Sequence, residues 1–328
     1  MLSRVADSLY WMSRYLERAE HTTRLLDVNL SLMLDESPSS AGRRWQRVLQ
    51  ALGAPKDVKF EGDAVALARE LTFDAHGRAS VLACIISARE NARHVREQIS
   101  TEMWQKLNSL YLQVTRPEMQ SDMHAEALLE QSEGPTEFLQ QVMEGVHQFQ
   151  GVTDSTMSHG EGWQFIQVGR FMERASATAM LLEAYQPELW AKHDALPDSN
   201  EYLEWMGLLR SATAFEAYCK VYTADLAPDW ILEFLLLDED FPHSLRFSID
   251  AMQHALEAVQ EVSGGTRSHN LGRISGRLRA TLSYSSVEEI MSGDVVTYLR
   301  EIQLQCREIH NAIYELYVDY SIQAALAG

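Results

Sequence analysis

The chain has 328 residues and a mass of 37.2 kDa, and 46% of its residues are hydrophobic, which is the composition of a globular protein. The length is sufficient for one large all-α domain or for two smaller domains. Lysine and arginine number 28 against 47 acidic residues, so the formal charge is −19. This charge argues against nucleic acid as the main partner, because nucleic-acid binders neutralise phosphates with a net cationic surface.

Apolar residues at alternating spacings of four and three predict a long first helix over about 2–34. Its opposite face carries aromatic and charged residues, so we expect this helix to be contacted on two sides and to lie centrally. No segment shows the period-two pattern of a strand bounded by hairpin turns. The predicted fold is all-α, a multi-helix bundle with long central helices. Further helices are predicted at 43–53, 63–72, 78–98, 100–116, 120–131, 136–158, 161–186, 200–222, 228–237, 243–262, 268–283 and 286–324.

An internal repeat relates two of these helices. The segment 14–28 aligns without gaps on 170–184, at an offset of 156 and with seven identities in fifteen positions. We therefore expect a single domain over 1–328 that contains a pseudo-repeat, with halves of approximately 1–150 and 151–328. The identical pairs are Arg14/Arg170, Glu17/Glu173, Arg18/Arg174, Ala19/Ala175, Thr22/Thr178, Leu25/Leu181 and Leu26/Leu182.

Each repeat helix carries an R-x-x-E-R cluster, whose first arginine and glutamate lie on one helix face. If the two helices face each other, four arginines and two glutamates converge, and buried charges cost stability unless they are paired or serve a ligand. Two interpretations stay open, a structural salt-bridge knot and an anion-binding or catalytic floor. The candidate catalytic residues are Glu17 and Glu173, and the ligand-binding candidates in these two helices are Tyr10, Arg14, Glu17, Arg18, Arg170, Glu173 and Arg174.

A ladder of arginines follows one side of another predicted helix. Arg89, Arg93 and Arg96 are spaced by four and three residues, and Glu90 lies close by. Such a ladder suits a carboxylate or phosphate ligand, because the guanidinium group binds two oxygens at once. The interleaved glutamate is the alternative, since it can satisfy these arginines internally. All four residues are therefore ligand-binding candidates.

Familiar catalytic and nucleotide-binding patterns are absent from the sequence. There is no phosphate-binding G-x-x-x-x-G-K-[ST], no Rossmann fingerprint and no G-x-S-x-G elbow. A ferritin-type site needs two Glu-x-x-His pairs, and Glu144-x-x-His147 is the single match. We therefore expect neither a metal nor a cofactor in this chain, and its being an enzyme stays undecided.

The compartment is predicted from cysteine usage and from the absence of targeting segments. Cys84, Cys219 and Cys306 form no C-x-x-C pair, so a disulfide framework is not expected. Six charged residues within the first twenty positions interrupt any apolar signal-peptide core. The most apolar stretch, 230–237, is too short to span a bilayer. These features favour a cytoplasmic protein without a membrane partner.

Five segments together carry a family resemblance: MLSRVADSLYWMSRYLERAEHTTRLLDV, SARENARHVREQISTEMW, GEGWQFIQVGRFMERA, LLRSATAFEAY and LLLDEDFPHSL. They resemble the alpha-E family, a helical domain of unknown function with an E-R motif, over nearly the whole chain. In that family the genes typically neighbour a circularly permuted ATP-grasp ligase, a transglutaminase-like protease and sometimes a proteasome-like peptidase. The family's motif corresponds to Glu17-Arg18 and Glu173-Arg174 here.

The resemblance implies a role in making, attaching or processing a peptide through amide-bond ligation. The first hypothesis is a helical accessory subunit that acts with an ATP-grasp ligase and presents an anionic substrate or intermediate, while ATP and Mg²⁺ belong to the ligase. The second is an enzyme of acyl or amide transfer that uses the Arg/Glu constellation, and the third is a purely structural interaction module. The transglutaminase-like protease is a further expected partner, and the long helices are compatible with a homodimer.

Overall fold

A computed structural model describes residues 1–32, 38–55, 57–116, 134–185, 199–223, 225–262 and 269–319. In these ranges the chain forms α-helices, one short π-helix at Glu315–Asp319 and no strand, so the all-α prediction is confirmed. The helix predicted at 120–131 lies outside the described residues. The helices are α1 Ser3–Leu32, α2 Pro38–Ala51, α3 Ala64–Phe73, α4 Val81–His94, α5 Thr101–Val114, α6 Gly134–Thr156, α7 Glu161–Ala184, α8 Ser199–Ser211, α9 Phe215–Tyr222, α10 Pro228–Leu237, α11 Leu245–Val262, α12 His269–Tyr284, α13 Val287–Ser292 and α14 Val295–Tyr314.

The chain divides into two compact units, of which the first contains Met1–Trp45, Phe60–Arg170 and Tyr317–Gly328. In this unit α1 packs against α4, α4 against α5, α5 against α6, and α6 against α1. Each helix thus has two neighbours in a closed ring, which is the arrangement of a four-helix bundle.

Helix α1 is buried on more than one side, as its sequence predicts. Leu9, Met12 and Leu26 of the apolar stripe have no exposed surface, and they supply much of the core of the first unit. The charged Glu17 and Glu20 are also buried, at 4% and 2% exposure. A carboxylate is rarely buried without partners, so these two positions identify where to look for a site.

The second unit contains Gln46–Lys59 and Phe171–Leu316. Here α11 packs against α12, and α12 packs against α14. The part of α7 that belongs to this unit closes a ring: the Phe171 ring meets the Phe247 ring of α11 edge-on at 5.9 Å. On its other side, Glu183 accepts hydrogen bonds from Arg300 and Gln303 of α14, at 2.6 and 2.8 Å. The second unit therefore contains its own ring of four helices.

Two long predicted helices are interrupted. The segment predicted at 200–222 is two helices, α8 and α9, because Thr213 between them adopts a left-handed backbone with φ of 55°. The segment predicted at 286–324 is also broken. Its first helix ends at Ser292 with Gly293 as the C-cap, and Asp294 caps the next helix by accepting a hydrogen bond from the Val296 N–H at 3.1 Å. A cap of this kind starts α14 at Val295.

The boundary between the units falls within α7, after Arg170, whereas the sequence predicts halves that meet near 150. The predicted halves therefore stay a prediction. Within the described ranges, no helix combines the length and the low charge needed to cross a lipid bilayer.

Candidate functional site

Glu17 lies at the centre of a polar cluster in the first unit. The Gln150 amide of α6 donates to Glu17 Oε2 at 3.3 Å, and Arg170 Nε of α7 lies 3.9 Å from the same oxygen. Arg170 also donates to Gln150 Oε1 at 3.0 Å, so the amide joins the arginine to the carboxylate. The structure thus brings together two of the predicted site residues, Glu17 and Arg170, and adds Gln150 between them.

A small cavity adjoins this cluster, with a volume of about 20 Å³. Space of this size holds about one water molecule and excludes a metabolite. On its rim Asp154 accepts a hydrogen bond from Trp163 Nε1 at 3.3 Å and lies 3.9 Å from Arg170. The cavity is lined by Ser13, Leu16, Phe149, Gln150, Thr153, Asp154, Ile166, Gln167 and Arg170.

Beside this cavity, α7 approaches α1 so closely that there is no room for a side chain at position 169. A Cβ atom placed on Gly169 would overlap Ser13 Oγ and the Tyr10 carbonyl oxygen. The Ser13 hydroxyl itself donates to that carbonyl at 2.9 Å. Glycine is therefore required at position 169 because the two helix backbones meet there.

The candidates Tyr10 and Arg14 interact with each other along α1. Arg14 donates to the Tyr10 hydroxyl at 3.0 Å, and its guanidinium lies over the Trp11 ring at 4.8 Å. Tyr10 is 3% exposed. Both side chains are thus engaged with the protein, in a cation–π and hydrogen-bonded pair that fixes their orientation.

A second buried carboxylate, Glu20, was not identified from the sequence. It is 2% exposed and pairs with Arg24 at 2.9 Å, four residues along α1. His147 of α6, whose side chain is 53% exposed, has its Nε2 at 3.0 Å from the same Glu20 oxygen. A buried carboxylate that orients a half-exposed imidazole is an arrangement that general bases use. The spacing of His147, Gln150 and Asp154 on one face of α6 is the sequence signal that could have pointed to it.

Asp27 lies one turn beyond Arg24 on α1. Burial raises the pKa of its carboxyl above the usual value, and the charge of Arg24 opposes that rise only in part. The ionised form of Asp27 is therefore less favourable in the folded protein than in the unfolded chain.

Arg18, the arginine of the E-R motif in the first unit, binds the loop that precedes α4. Arg18 donates to the Arg78 carbonyl at 3.5 Å, and Thr22, four residues later, donates to the Ala79 carbonyl at 2.9 Å. The Arg18 guanidinium also lies 5.7 Å from the centre of the Tyr15 ring. Two consecutive loop carbonyls are thus held by one face of α1.

The equivalent residues of the second unit make the same contacts. Arg174 donates to the Pro242 carbonyl at 3.1 Å, and Thr178 donates to the His243 carbonyl at 3.2 Å. The Arg174 guanidinium lies 5.4 Å from the Phe171 ring centre, as Arg18 does over Tyr15 in the first unit. Glu173 lies beside it and is 6% exposed. The arginine of the motif therefore holds the loop before a ring helix in each unit.

The two loops bound by Arg18 and Arg174 resemble each other in sequence and in hydrogen bonding. Asp74 and Asp238 begin them and accept hydrogen bonds from backbone N–H groups two residues later, at 2.9 and 3.0 Å. Ser80 and Ser244 end them, and each directly precedes a helix of its ring. The pattern D-x-x-x-x-x-S recurs at an offset of 164, a signal that the alignment of the repeat helices alone did not reveal.

The predicted arginine ladder is largely satisfied within itself. Glu90 pairs with Arg89 at 3.2 Å and with Arg93 at 2.7 Å. The Arg89 guanidinium also donates to Asn108 at 2.9 Å and lies 4.3 Å from the centre of the Tyr111 ring. Arg96 lies beyond the end of α4, over the Trp104 ring at 5.6 Å, and meets no carboxylate in the ranges described above. Among those ranges there is also no group of three or more metal-ligating side chains.

These features define an all-helical protein whose two units each contain a ring of four helices braced by a buried E-R helix. Residues 1–318 match the family Alpha-E, described as a predicted alpha-helical domain with a conserved ER motif. The chain belongs to this family.

Three similar mycobacterial proteins are each described as uncharacterized. One from Mycobacterium bovis is 24% identical over 318 residues, which are 91% of this chain and 34% of that protein, and one from Mycobacterium tuberculosis strain CDC 1551 has the same values. Another, from Mycobacterium tuberculosis strain H37Rv, is 23% identical over the same shares. The chain thus spans about a third of the length of these relatives. No solved structure matches the sequence.

Proposed function

We propose that this protein is a non-catalytic helical subunit that acts beside an ATP-grasp amide ligase and helps to present its anionic substrate or intermediate. One observation carries the non-catalytic part: the motif arginines hold loop carbonyls inside each unit, at Arg18 and at Arg174. Residues used in this way build a scaffold, and the bond-forming chemistry belongs to the partner.

The space around the motif supports the same conclusion. The cavity beside Glu17 has room for about one water molecule, so a peptide or nucleotide does not fit there. Cations suited to an anionic substrate lie instead at the surface. The Arg93 side chain is 59% exposed and shares the single carboxylate of Glu90 with Arg89, so one positive charge is left over. Arg96 meets no carboxylate in the described part of the chain. We therefore assign substrate presentation to Arg93 and Arg96.

The choice of an ATP-grasp ligase as the partner rests on the family resemblance and on the length of the relatives. In the mycobacterial relatives the matching region is joined to about twice as much further chain. A region that occurs joined to other sequence supports action beside another domain. The ligase supplies ATP and Mg²⁺, and a transglutaminase-like protease is a second partner in the same pathway.

The test is to mix the protein with a circularly permuted ATP-grasp ligase from the same genome, and to measure complex formation and ATP turnover together. We expect a stable complex and increased turnover in the presence of the acceptor amino acid. The double variant Arg93→Gln, Arg96→Gln should keep the complex and lose the stimulation, whereas Arg69→Gln, an exposed arginine on α3, should change neither. Full ligase activity without this protein, and no complex, would refute the proposal.

A second candidate is an enzyme of acyl or amide transfer, which the Glu20–His147 pair favours. His147 is accessible and Glu20 orients it, so the base would be this imidazole. The discriminating measurement is transfer or hydrolysis of the ligation product by the isolated protein. Activity that is lost in His147→Gln with an unchanged melting temperature would establish the enzyme, and its absence leaves the accessory subunit.

A further inference from the structure

A much larger pocket lies elsewhere in the first unit, between the start of α1 and the end of α4. Its volume is about 500 Å³, which is within the range of roughly 300–1,000 Å³ that small-molecule sites occupy. Arg4, Asp7 and Ser8 line it from α1, while His94 and Glu97 line it from the end of α4 and the turn that follows. The pocket shares no lining residue with the cavity beside Glu17.

Three of these side chains have no partner within the part of the chain that the structure describes. Arg4, His94 and Glu97 are exposed, and none of them makes a hydrogen bond or ion pair with a described residue. By contrast, Arg24 in the same unit is paired with the buried Glu20 at 2.9 Å. A cation, an imidazole and a carboxylate around one open pocket therefore remain available to a ligand.

The lining also contains apolar residues. Val95 is buried, Val5 is half-buried and Leu2 is exposed, and all three line the same pocket. A ligand with charged ends and a small apolar side chain would satisfy both parts of this surface. Charges of both signs in the lining exclude a simple polyanion such as a nucleoside triphosphate, because Asp7 and Glu97 would repel it.

We propose that this pocket binds a small zwitterion, an amino acid or a short peptide that carries a free ammonium group and a free carboxylate. The Arg4 guanidinium holds the carboxylate through its two parallel N–H groups, and Glu97 accepts from the ammonium group. His94 donates a further hydrogen bond to the carboxylate, and Val5 and Val95 receive the side chain. This site does not depend on a partner ligase, so it stands whether or not the proposed function holds.

The test is calorimetric titration of the isolated full chain with the dipeptide alanyl-leucine and with leucine alone. Each ligand is compared with its acetylated and amidated forms, which lose the ammonium charge and the carboxylate charge respectively. We expect one site per chain and a loss of affinity of at least about tenfold on capping either end, because each charge-assisted contact is strong. Stronger binding of the dipeptide than of leucine identifies a peptide site, and the reverse identifies an amino-acid site.

Two variants identify which residue binds each charged end of the ligand. In Arg4→Gln, amidation of the ligand should no longer matter, whereas acetylation should still weaken binding, and Glu97→Gln should show the opposite pattern. Arg69→Gln and Glu70→Gln, both exposed on α3, are the matched controls and should bind as the unaltered protein does. No binding up to about 10 mM, or equal binding of free and capped ligands, would overturn the proposal.

Discussion

Replacement of Arg174 by methionine tests whether the E-R motif stabilises the fold by holding a loop, a contact that we call the brace. Methionine keeps much of the apolar stem that packs on Phe171, but it cannot donate to the Pro242 carbonyl. Arg174 is 4% exposed and the hydrogen bond is 3.1 Å, so a charge-assisted bond is lost in a buried place. Losing such a bond costs about 1.5–3 kcal/mol, and a domain of this size loses about 2–4 °C per kcal/mol. We expect the melting temperature of the second unit to fall by about 3–12 °C.

The paired variant Arg18→Met supplies the internal control. Its bond to the Arg78 carbonyl is 3.5 Å and Arg18 is half-buried, so we expect a loss below about 1 kcal/mol in the first unit. Differential scanning calorimetry on both variants, with Arg174→Lys as a charge-conserving comparison, measures the difference. Equal effects of the two substitutions would contradict the larger energy assigned to the shorter and more deeply buried bond of Arg174. An unchanged melting temperature for Arg174→Met, together with lost stimulation of the ligase, would refute the stabilising role and return the motif to the substrate site.

Three further outcomes follow from the first unit. Gly169→Ala should destabilise it by about 1–3 kcal/mol or more, because the added methyl group overlaps Ser13 and Tyr10, and denaturant unfolding measures the loss. Asp27→Asn should raise the melting temperature at neutral pH, and this gain should disappear as the pH falls towards 4. Because the pKa of the Asp27 carboxyl is raised in the folded protein, its ionised form destabilises the fold at pH values above that pKa. The destabilisation vanishes below the pKa of the unfolded chain, where the carboxyl is protonated in both states. Glu90→Gln should change stability by less than about 1 kcal/mol, since this carboxylate is 40% exposed, and a larger loss would contradict the surface position of the ladder.

The helices were predictable where packing is periodic. The stripe of α14, with Leu299, Ile302 and Ile309 buried, follows from spacings of four and three because one helix face meets the core. The break at Thr213 was not predictable, since a left-handed backbone at a non-glycine residue leaves no pattern in the sequence. The start of α14 could have been predicted from Asp294, because aspartate before an apolar helix is a typical N-cap.

The candidate site was predictable only one helix at a time. Glu17 and Arg170 were identified from the repeat, but the sequence paired each of them with residues of its own helix. In the folded protein Gln150 of α6 lies between them, and nothing in the spacing of a single helix specifies that neighbour. The prediction that the two clusters face each other was drawn from the repeat alone and stays a prediction.

The same loop contact recurs in the two units, so the E-R arginine has a structural role in each of them. The arginine at the fifth position of R-x-x-E-R donates to one loop carbonyl, and a threonine one turn later donates to the next, in both Arg18/Thr22 and Arg174/Thr178. Each of these contacts holds the loop that precedes a helix of the ring, so substitutions at these positions act on the stability of the unit. Residues that distinguish the work of one family member from another therefore belong on open surfaces, and in this protein the 500 Å³ pocket around Arg4 is the place to look for them.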